Sequence, residues 1–124
     1  MGIFKSELSA GQIIHKKYNV RSSSFLEFLA SFLNEEEAIK IKKFFIKKNK
    51  IKVVLLDSIF VPKEFRGDRS GSLILQDFLS STNDPIMLIA DRENKSINLE
   101  EWYKSYGFIK VLDTSIGPFM IFSD

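Results

Sequence analysis

Two apolar segments with an amphipathic segment between them constrain the fold most. The segment "IKVVLLDSIFV" (51–61) is apolar on both faces over its middle, which is typical of a strand inside a sheet. The segment "PIMLIAD" (85–91) predicts a second buried strand. Between them, "SGSLILQDFLSS" (70–81) has apolar residues at helical spacing. One helix and two short connections between two strands indicate a right-handed βαβ crossover, so we expect parallel neighbours.

Two helices are predicted before this unit. The segment 22–33 has apolar residues at helical spacing, and Ser24 with Glu27 forms the pattern of a capping box at its start. Asn34 and Glu37 repeat that pattern at the start of 34–48. Carboxylates occupy its first turn and lysines its last, as the helix macrodipole favours. The alternative for this region is a hairpin over 41–61 that turns at "KKNK".

The two ends of the chain add strands and one short helix. Residues 12–20 are either a short strand or an irregular arm. A helix is predicted over 98–106, with Asn98 as its cap and Gly107 as the left-handed residue at its C-terminal end. The segments "FIKVLD" and "GPFMIFS" predict a closing pair of strands around a turn at 114–117. The expected fold class is α/β (α+β) with a mixed sheet.

Composition limits the class of protein. A length of 124 residues fits one domain, 1–124, and the absence of cysteine excludes disulfides, thiolate metal sites and a cysteine nucleophile. His15, the only histidine, has no placed Asp and Ser partners for a hydrolase triad, and no His, Asp or Glu cluster has metal-ligand spacing. The N-terminus lacks an apolar core of signal-peptide length, and no segment approaches the length of a membrane span. We therefore expect a cytoplasmic protein without a metal.

Charge is distributed unevenly along the chain. Residues 1–50 hold 10 Lys and Arg against 5 Asp and Glu, whereas residues 51–124 hold 8 against 11. The basic half suits either an acidic partner or a solvated lysine-rich face, and we favour the solvated face. Because aromatic and basic residues do not interleave as in nucleic-acid-binding modules, nucleic acid is not expected as a partner.

The loop after the first apolar strand has the features of an anion site. Ligands of βαβ units bind at the carboxyl ends of the strands, where residues 62–71 lie. The first turn of the following helix has free backbone N–H groups and a partial positive charge. Gly67 and Gly71 allow close approach of an anion, and Arg66 and Arg69 add charge. A tight, charged loop without a ligand is the alternative, because the sequence matches neither a P-loop nor a dinucleotide fingerprint.

Two motifs resemble the GNAT (GCN-type N-acetyltransferase) superfamily. The stretch "IFVPKEFRGDRSGSLIL" resembles its acyl-CoA-binding motif, with Arg66 at the first position, Gly71 at the last and Arg69 in place of a central glycine. The stretch "EWYKSYGF" (101–108) resembles its late helix and turn. The resemblance covers residues 51–124, and residues 1–50 are a divergent, helical part in which the usual strands are expected to be shortened or missing. It implies a mostly antiparallel mixed sheet flanked by helices.

The resemblance implies transfer of an acetyl group from acetyl-CoA to a primary amine. Backbone groups near Phe60 and Val61 would pair with the pantetheine arm. Asn98 is a further candidate contact, although its capping role explains it fully. The backbone amides of residues 67–72 would hold the pyrophosphate, and Arg66 and Arg69 would neutralise it. The cofactor-binding residues of this segment are therefore Arg66, Gly67, Asp68, Arg69, Ser70, Gly71 and Ser72. Arg69 is compatible with this role if its backbone conformation is ordinary and would weaken cofactor binding if its φ is positive.

Two residues are candidates for the chemistry. Tyr103 matches the general acid of the family, with a core aromatic residue as the alternative. Asp57, the only carboxylate of its strand, is a candidate base that acts directly or through water; equally, it is a solvent-facing strand residue or one that caps a bulge. Asp91 is a weaker candidate base. Trp102 is interpreted as a core residue.

Three functions remain open on the sequence. The first is a small-molecule N-acetyltransferase, and the acidic bias of residues 51–124 favours a cationic acceptor. The second is a non-enzymatic binding or regulatory protein of the same fold, with the basic helix 34–48 as its partner surface. The third is a protein-lysine acetyltransferase. A homodimer is compatible with each of them, and the sequence does not choose between the acceptors.

Overall fold

The computed structural model describes residues 2–7, 9–65, 67, 69–90 and 98–123. These residues form an α/β chain whose elements follow one another as β1 (Gly2–Lys5), β2 (Gln12–Asn19), α1 (Ser23–Ala30), α2 (Glu35–Lys47), β3 (Lys52–Phe60), a 3₁₀ turn (Lys63–Phe65), α3 (Ser70–Leu79), β4 (Ile86–Ile89), α4 (Leu99–Lys104), β5 (Ile109–Asp113) and β6 (Pro118–Phe122). The predicted strands and helices of residues 51–123 are all present, with ends that differ by a few residues.

The sheet has the order β1-β2-β3-β4-β6-β5. Only β3 and β4 are parallel among the described strands, and the other neighbours are antiparallel. This confirms the mixed, mostly antiparallel sheet and the parallel pair around α3. The interior position of β3 explains why its middle is apolar on both faces.

Two core clusters cover the two faces of the sheet. Val53 and Leu55 of β3 pack with α1 and α2 on one face. Val54 and Leu56 pack with α3 and α4 on the other face. Alternation along a single strand therefore supplies both cores, because successive side chains of a strand point to opposite faces.

The capping box at α2 is confirmed and the hairpin alternative is wrong. The Asn34 side chain accepts a hydrogen bond from the Glu37 N–H at 2.8 Å, and the Glu37 carboxylate accepts one from the Asn34 N–H at 3.3 Å. This reciprocal pairing satisfies N–H groups that a helix start otherwise leaves free. A continuous helix then runs through the lysine-rich segment to Lys47.

The capping box predicted for α1 is wrong. Ser22, not Ser24, is the N-cap, and its hydroxyl accepts a hydrogen bond from the Phe25 N–H at 3.4 Å. The Ser22 N–H and hydroxyl both donate to the Asn19 carbonyl, at 3.0 and 2.7 Å. These bonds fix the turn after β2 and select the first of three consecutive serines as the cap.

The N-terminal part contains more strand than the resemblance implied. Residues 12–19 form the strand β2, so the irregular-arm alternative is wrong. The four-residue β1 pairs with it, and β2 pairs with β3 along eight positions. The description of residues 1–50 as helical is therefore corrected: two strands, one of them long, precede the two helices.

Candidate functional site

A cleft separates β3 and β4 beyond their first two residue pairs. Val54 pairs with Ile86 and Leu55 with Met87, and the described parallel ladder stops there. Both strands continue, β3 along β2 to Phe60 and β4 along β6 to Ile89. Each therefore keeps a partner on its outer side while its inner edge faces the cleft. The cleft lies at the carboxyl ends of the two parallel strands, where α/β folds bind ligands.

A β-bulge at Asp57 lies where the ladder stops. His15 of β2 pairs with Leu56, while the preceding Ile14 pairs with Ser58, so Asp57 is the extra residue. A bulge bends its strand and redirects the following side chains. Here Ile59, three residues after Leu56, packs against the α3–α4 core. The bulge is one of the two structural alternatives foreseen for Asp57, and it presents the exposed carboxylate beside the cleft.

A pocket of about 300 Å³ occupies the α1 side of this cleft. Its floor comes from the strands, one wall comes from α1 and from Phe32 just after that helix, and the rim comes from the turn between β5 and β6. The lining residues are Phe28, Phe32, Leu55, Leu56, Asp57, Ile89 and Ile116. A larger concavity of about 550 Å³ lies at the C-terminal end of α3, but its lining holds neither a carboxylate nor a cation.

The turn that forms the pocket rim is held by α2. The Glu37 carboxylate accepts hydrogen bonds from the Ser115 N–H at 2.6 Å and from the Ser115 hydroxyl at 3.0 Å. The Thr114 hydroxyl donates to the Gly117 carbonyl at 2.6 Å and tightens the same turn. Glu37 thus caps α2 and positions Ile116 at once. Sequence analysis assigned only the capping role.

The loop after β3 has a geometry suited to an anion. Gly67 has φ 91°, Arg69 has φ 74°, and α3 begins at Ser70. The Arg69 side chain makes no capping hydrogen bond, so the first-turn N–H groups of α3 are not covered by it. A methyl group built on Gly67 would meet no described atom within 4 Å, and on Gly71 it would meet only Val61 Cγ2, at 3.8 Å. An oxyanion can therefore approach the backbone here.

Arg69 does not have the ordinary backbone conformation that its proposed role required. Its φ of 74° lies in the left-handed region, which glycine adopts without penalty and other residues rarely adopt. The structure thus explains why a glycine suits this position in the motif. It also meets the condition under which we expected weaker cofactor binding.

Of the other predicted cofactor residues, Phe60, Val61, Ser70 and Ser72 lie beside the same loop. Phe60 is exposed at the end of β3, Val61 is half-buried, Ser70 is buried, and Ser72 is half-buried in the first turn of α3. Arg66 and Asp68, like the weaker base candidate Asp91, lie outside the described residues. Asn98 accepts a hydrogen bond from the Glu101 N–H at 3.2 Å, as expected of a helix cap.

Contacts from the N-terminus also support the start of α3. The Ser9 hydroxyl donates to the Ser70 carbonyl at 2.7 Å and accepts from the Gly11 N–H at 2.9 Å. From the opposite side, the Tyr106 hydroxyl donates to the Ser72 hydroxyl. Sequence analysis identified neither contact, because each joins segments that are distant in the chain.

Tyr103 lies on the α3–α4 side of the cleft. It is buried, with its ring edge-on to Trp102 at 5.0 Å and to Phe108 at 5.3 Å between centroids. Its core cluster includes Leu56, which follows the last residue of β3 that pairs with β4, and Ala90, which follows the end of β4. Burial raises the pKa of Tyr103 to about 12, because the phenolate is disfavoured away from water. Tyr103 therefore keeps its proton at neutral pH.

The structure does not bring Tyr103 and Asp57 into one pocket. Asp57 lines the cavity on the α1 side, whereas Tyr103 belongs to the core on the opposite face of the sheet. Leu56 contributes to both. The two candidates therefore lie on either side of the gap between the strands.

Other polar features have structural explanations. The His15 ring packs against Phe78 at 5.4 Å between centroids, which agrees with a packing residue. The described residues include no group of three or more His, Cys, Asp or Glu side chains that suits a metal ion. Every helix in the described ranges is too short or too polar to traverse a lipid bilayer.

Comparison with solved structures identifies the fold. The chain resembles a crystal structure of an acetyltransferase with a TM-score of 0.54 and 19% identity, over 98% of this chain and 68% of that chain. It resembles an N-acetyltransferase from Staphylococcus aureus Mu50 with a TM-score of 0.52 and 23% identity, over 96% of this chain and 65% of that chain. It thus spans about two thirds of the length of each. No protein-family model and no curated protein matches the sequence. The chain thus shares the fold of these two acetyltransferases, which agrees with the fold that its motifs predicted.

Proposed function

We propose that this protein is an N-acetyltransferase that moves an acetyl group from acetyl-CoA to a primary amine. The observation that carries the proposal is the gap between β3 and β4. The start of α3, whose first-turn N–H groups suit an anion, lies beside the gap, and Tyr103 and Asp57 are the candidate groups on its two sides. The named activities of the two fold relatives support the same general class. Fold alone does not fix function, so the argument depends on the residues around the gap.

The residues present fit coenzyme A. The amides of residues 67–72 would hold the pyrophosphate at the start of α3, with Arg69 supplying positive charge. The inner edge of β3 near Phe60 and Val61 would offer its backbone groups to the pantetheine arm. Acetyl-CoA supplies the acetyl group: the neutral amine nitrogen would bond to the carbonyl carbon as the C–S bond breaks, and the proton that the nitrogen then loses converts the thiolate to a thiol in the net reaction, which yields an amide and a thiol.

Tyr103 would assist the departing sulfur. With a pKa of about 12, its hydroxyl remains a hydrogen-bond donor over the whole physiological range. So weak an acid acts mainly by donating a hydrogen bond to the negative charge that develops on sulfur. On the other side of the gap, the Asp57 carboxylate would accept the proton that the attacking nitrogen loses, directly or through water.

Two measurements test the proposal. Calorimetry with acetyl-CoA should show binding, and a thiol-release assay with a panel of amines should show turnover. The Tyr103→Phe variant should lower kcat by about 100-fold, the typical loss for one such donor, while the Kd for CoA stays within about twofold. Tyr18→Phe is the matched control, since it deletes the hydroxyl of another buried tyrosine that does not line the pocket and keeps the ring on which Phe28 stacks. Absence of acetyl-CoA binding, or equal turnover of both variants, would contradict the proposal.

Arg69 favours a second candidate function, a non-enzymatic binding protein of the same fold. A left-handed arginine at a glycine position is compatible with a loop that no longer binds a cofactor tightly. This candidate requires that acetyl-CoA does not bind and that no amine is acetylated. A protein-lysine acetyltransferase differs from the first proposal only in its acceptor, and mass spectrometry of acetylated proteins separates the two.

A further inference from the structure

The pocket beside the bulge combines one carboxylate with an apolar lining. Six of its seven lining residues are apolar, and the seventh is the exposed Asp57. Within the described part of the chain, the Asp57 side chain forms no ion pair or hydrogen bond. A cation that enters this pocket therefore meets one negative charge that is not already neutralised.

The aromatic wall of the pocket is supported from behind. The Phe28 ring stacks on Tyr18 at 5.0 Å between centroids and meets Phe32 edge-on at 5.0 Å. At the rim, Phe32 is 36% exposed and Ile116 is 44% exposed. A bound apolar group would cover these exposed surfaces, and burial of apolar area is favourable.

The same features disfavour other amines. The volume of about 300 Å³ is at the lower end of the range of ligand pockets. A polyamine would bring two or more further ammonium groups to apolar surfaces, where an unpaired charge is costly. A hydroxylated amine would lose hydrogen bonds to water, and no lining side chain besides Asp57 offers its hydroxyl a polar partner.

We infer that the acceptor is a small primary monoamine with an apolar body, either aromatic or branched aliphatic. Asp57 binds its ammonium group, and Phe28, Phe32 and Ile116 surround its apolar body. This inference rests on the proposed acetyltransferase function and specifies its substrate class. Transfer balances in two proton losses: the ammonium first releases one proton, and the neutral nitrogen then gains the acetyl group and loses a second proton, which completes the thiol.

The test compares four amines at saturating acetyl-CoA. The monoamines 2-phenylethylamine and isopentylamine represent the inferred class, while spermidine and a lysine peptide with a blocked N-terminus represent polyamines and protein lysines. We expect kcat/KM for the better monoamine to exceed that for spermidine and for the peptide by about 100-fold, the order that buried charge and pocket fit provide. Equal or better transfer to spermidine or to the peptide overturns the inference and leaves the acetyltransferase function intact.

Variants of the pocket supply the second arm. Asp57→Asn should lower kcat/KM for 2-phenylethylamine by at least about tenfold. Phe32→Ala should raise its KM by about tenfold with little change in kcat, and Phe32→Leu should restore most of the loss. Glu27→Gln removes an exposed carboxylate of α1 outside the pocket lining and is the matched control. Unchanged kinetics in Asp57→Asn and Phe32→Ala overturn the inference.

Calorimetry with acetyl-CoA separates the two levels of failure. If acetyl-CoA does not bind, the proposed function fails. If acetyl-CoA binds but no amine is acetylated, the function and the inferred acceptor both fail. If acetyl-CoA binds and only the spermidine or peptide reaction proceeds, the acceptor class alone is wrong.

Discussion

Burial of Tyr103 makes the stability of this protein sensitive to alkaline pH. The folded protein holds the pKa of Tyr103 at about 12, whereas an unfolded chain ionises tyrosine near pH 10. Between these values the unfolded state loses its proton first, so the free energy of unfolding falls as pH rises. Below pH 10 both states are protonated, and this contribution to stability is fully present.

The size of the effect follows from the shift of two pH units. Each unit corresponds to about 1.4 kcal/mol, so the full loss is about 3 kcal/mol, of which about half is reached at pH 11. In the Tyr103→Phe variant the ring still packs against Trp102 and Phe108, but no group at this position titrates. Wild type should therefore lose about 1.4 kcal/mol more stability than the variant between pH 8 and pH 11.

Urea unfolding of both proteins at pH 8, 10 and 11 measures this difference. Comparison with the variant removes the effects of lysines and other groups that titrate in both proteins. Equal losses of stability in the two proteins would refute the argument that the Tyr103 hydroxyl is buried. That result would also weaken its proposed place beside the departing sulfur, since the hydroxyl would then be hydrated.

Three further substitutions test individual features of the site. Arg69→Gly removes the penalty of a residue with a side chain in the left-handed region, about 1–2 kcal/mol, but raises the entropy of the unfolded chain by about 0.5–1 kcal/mol. Urea unfolding should therefore show a net increase of about 0.5–1 kcal/mol in the free energy of unfolding. A decrease would mean that the Arg69 side chain stabilises the loop. Gly117→Ala places a Cβ atom 1.8 Å from the Ala90 carbonyl oxygen, so thermal unfolding should show destabilisation by about 3 kcal/mol or more, and a near-native melting temperature would contradict this contact. Glu37→Ala removes its hydrogen bonds to Ser115 and to the start of α2 and should lower the free energy of unfolding by about 1–2 kcal/mol. It should also raise the KM for the acceptor. An unchanged KM would show that the turn keeps its position without Glu37.

The central part of the fold was predictable because its signals are local. The apolar run of β3 and the helical spacing in α3 each specify one element within about ten residues. The Asn34–Glu37 pair specifies the start of α2 in the same way, because cap and partner are three residues apart. Local signals also mark the turn at Gly107, where φ is 102°.

Features that depend on distant segments were not predictable. The choice of Ser22 over Ser24 as a cap depends on the Asn19 carbonyl, which is placed by the end of β2. The bulge at Asp57 depends on the register of β3 against β2, so sequence analysis offered it as one alternative for Asp57 and could not choose it. The pocket needs Phe28, Phe32 and Ile116 together, although sequence analysis had placed both phenylalanines only on a helix and Ile116 only in a turn.

The short ladder between β3 and β4 gives the helices α1 and α2 a mechanical role. With two residue pairs joining the halves of the sheet, its continuity depends largely on side chains that bridge the break. Phe45 of α2 bridges the break in this way, because its ring lies 5.8 Å from that of Phe119 of β6 between centroids, and its core cluster also contains Val53 and Leu55 of β3. A change in the volume of this buried ring would alter the width of the cleft from the far side of the helical layer. If the proposed transfer takes place in this cleft, its acceptor selectivity depends also on positions that no substrate touches.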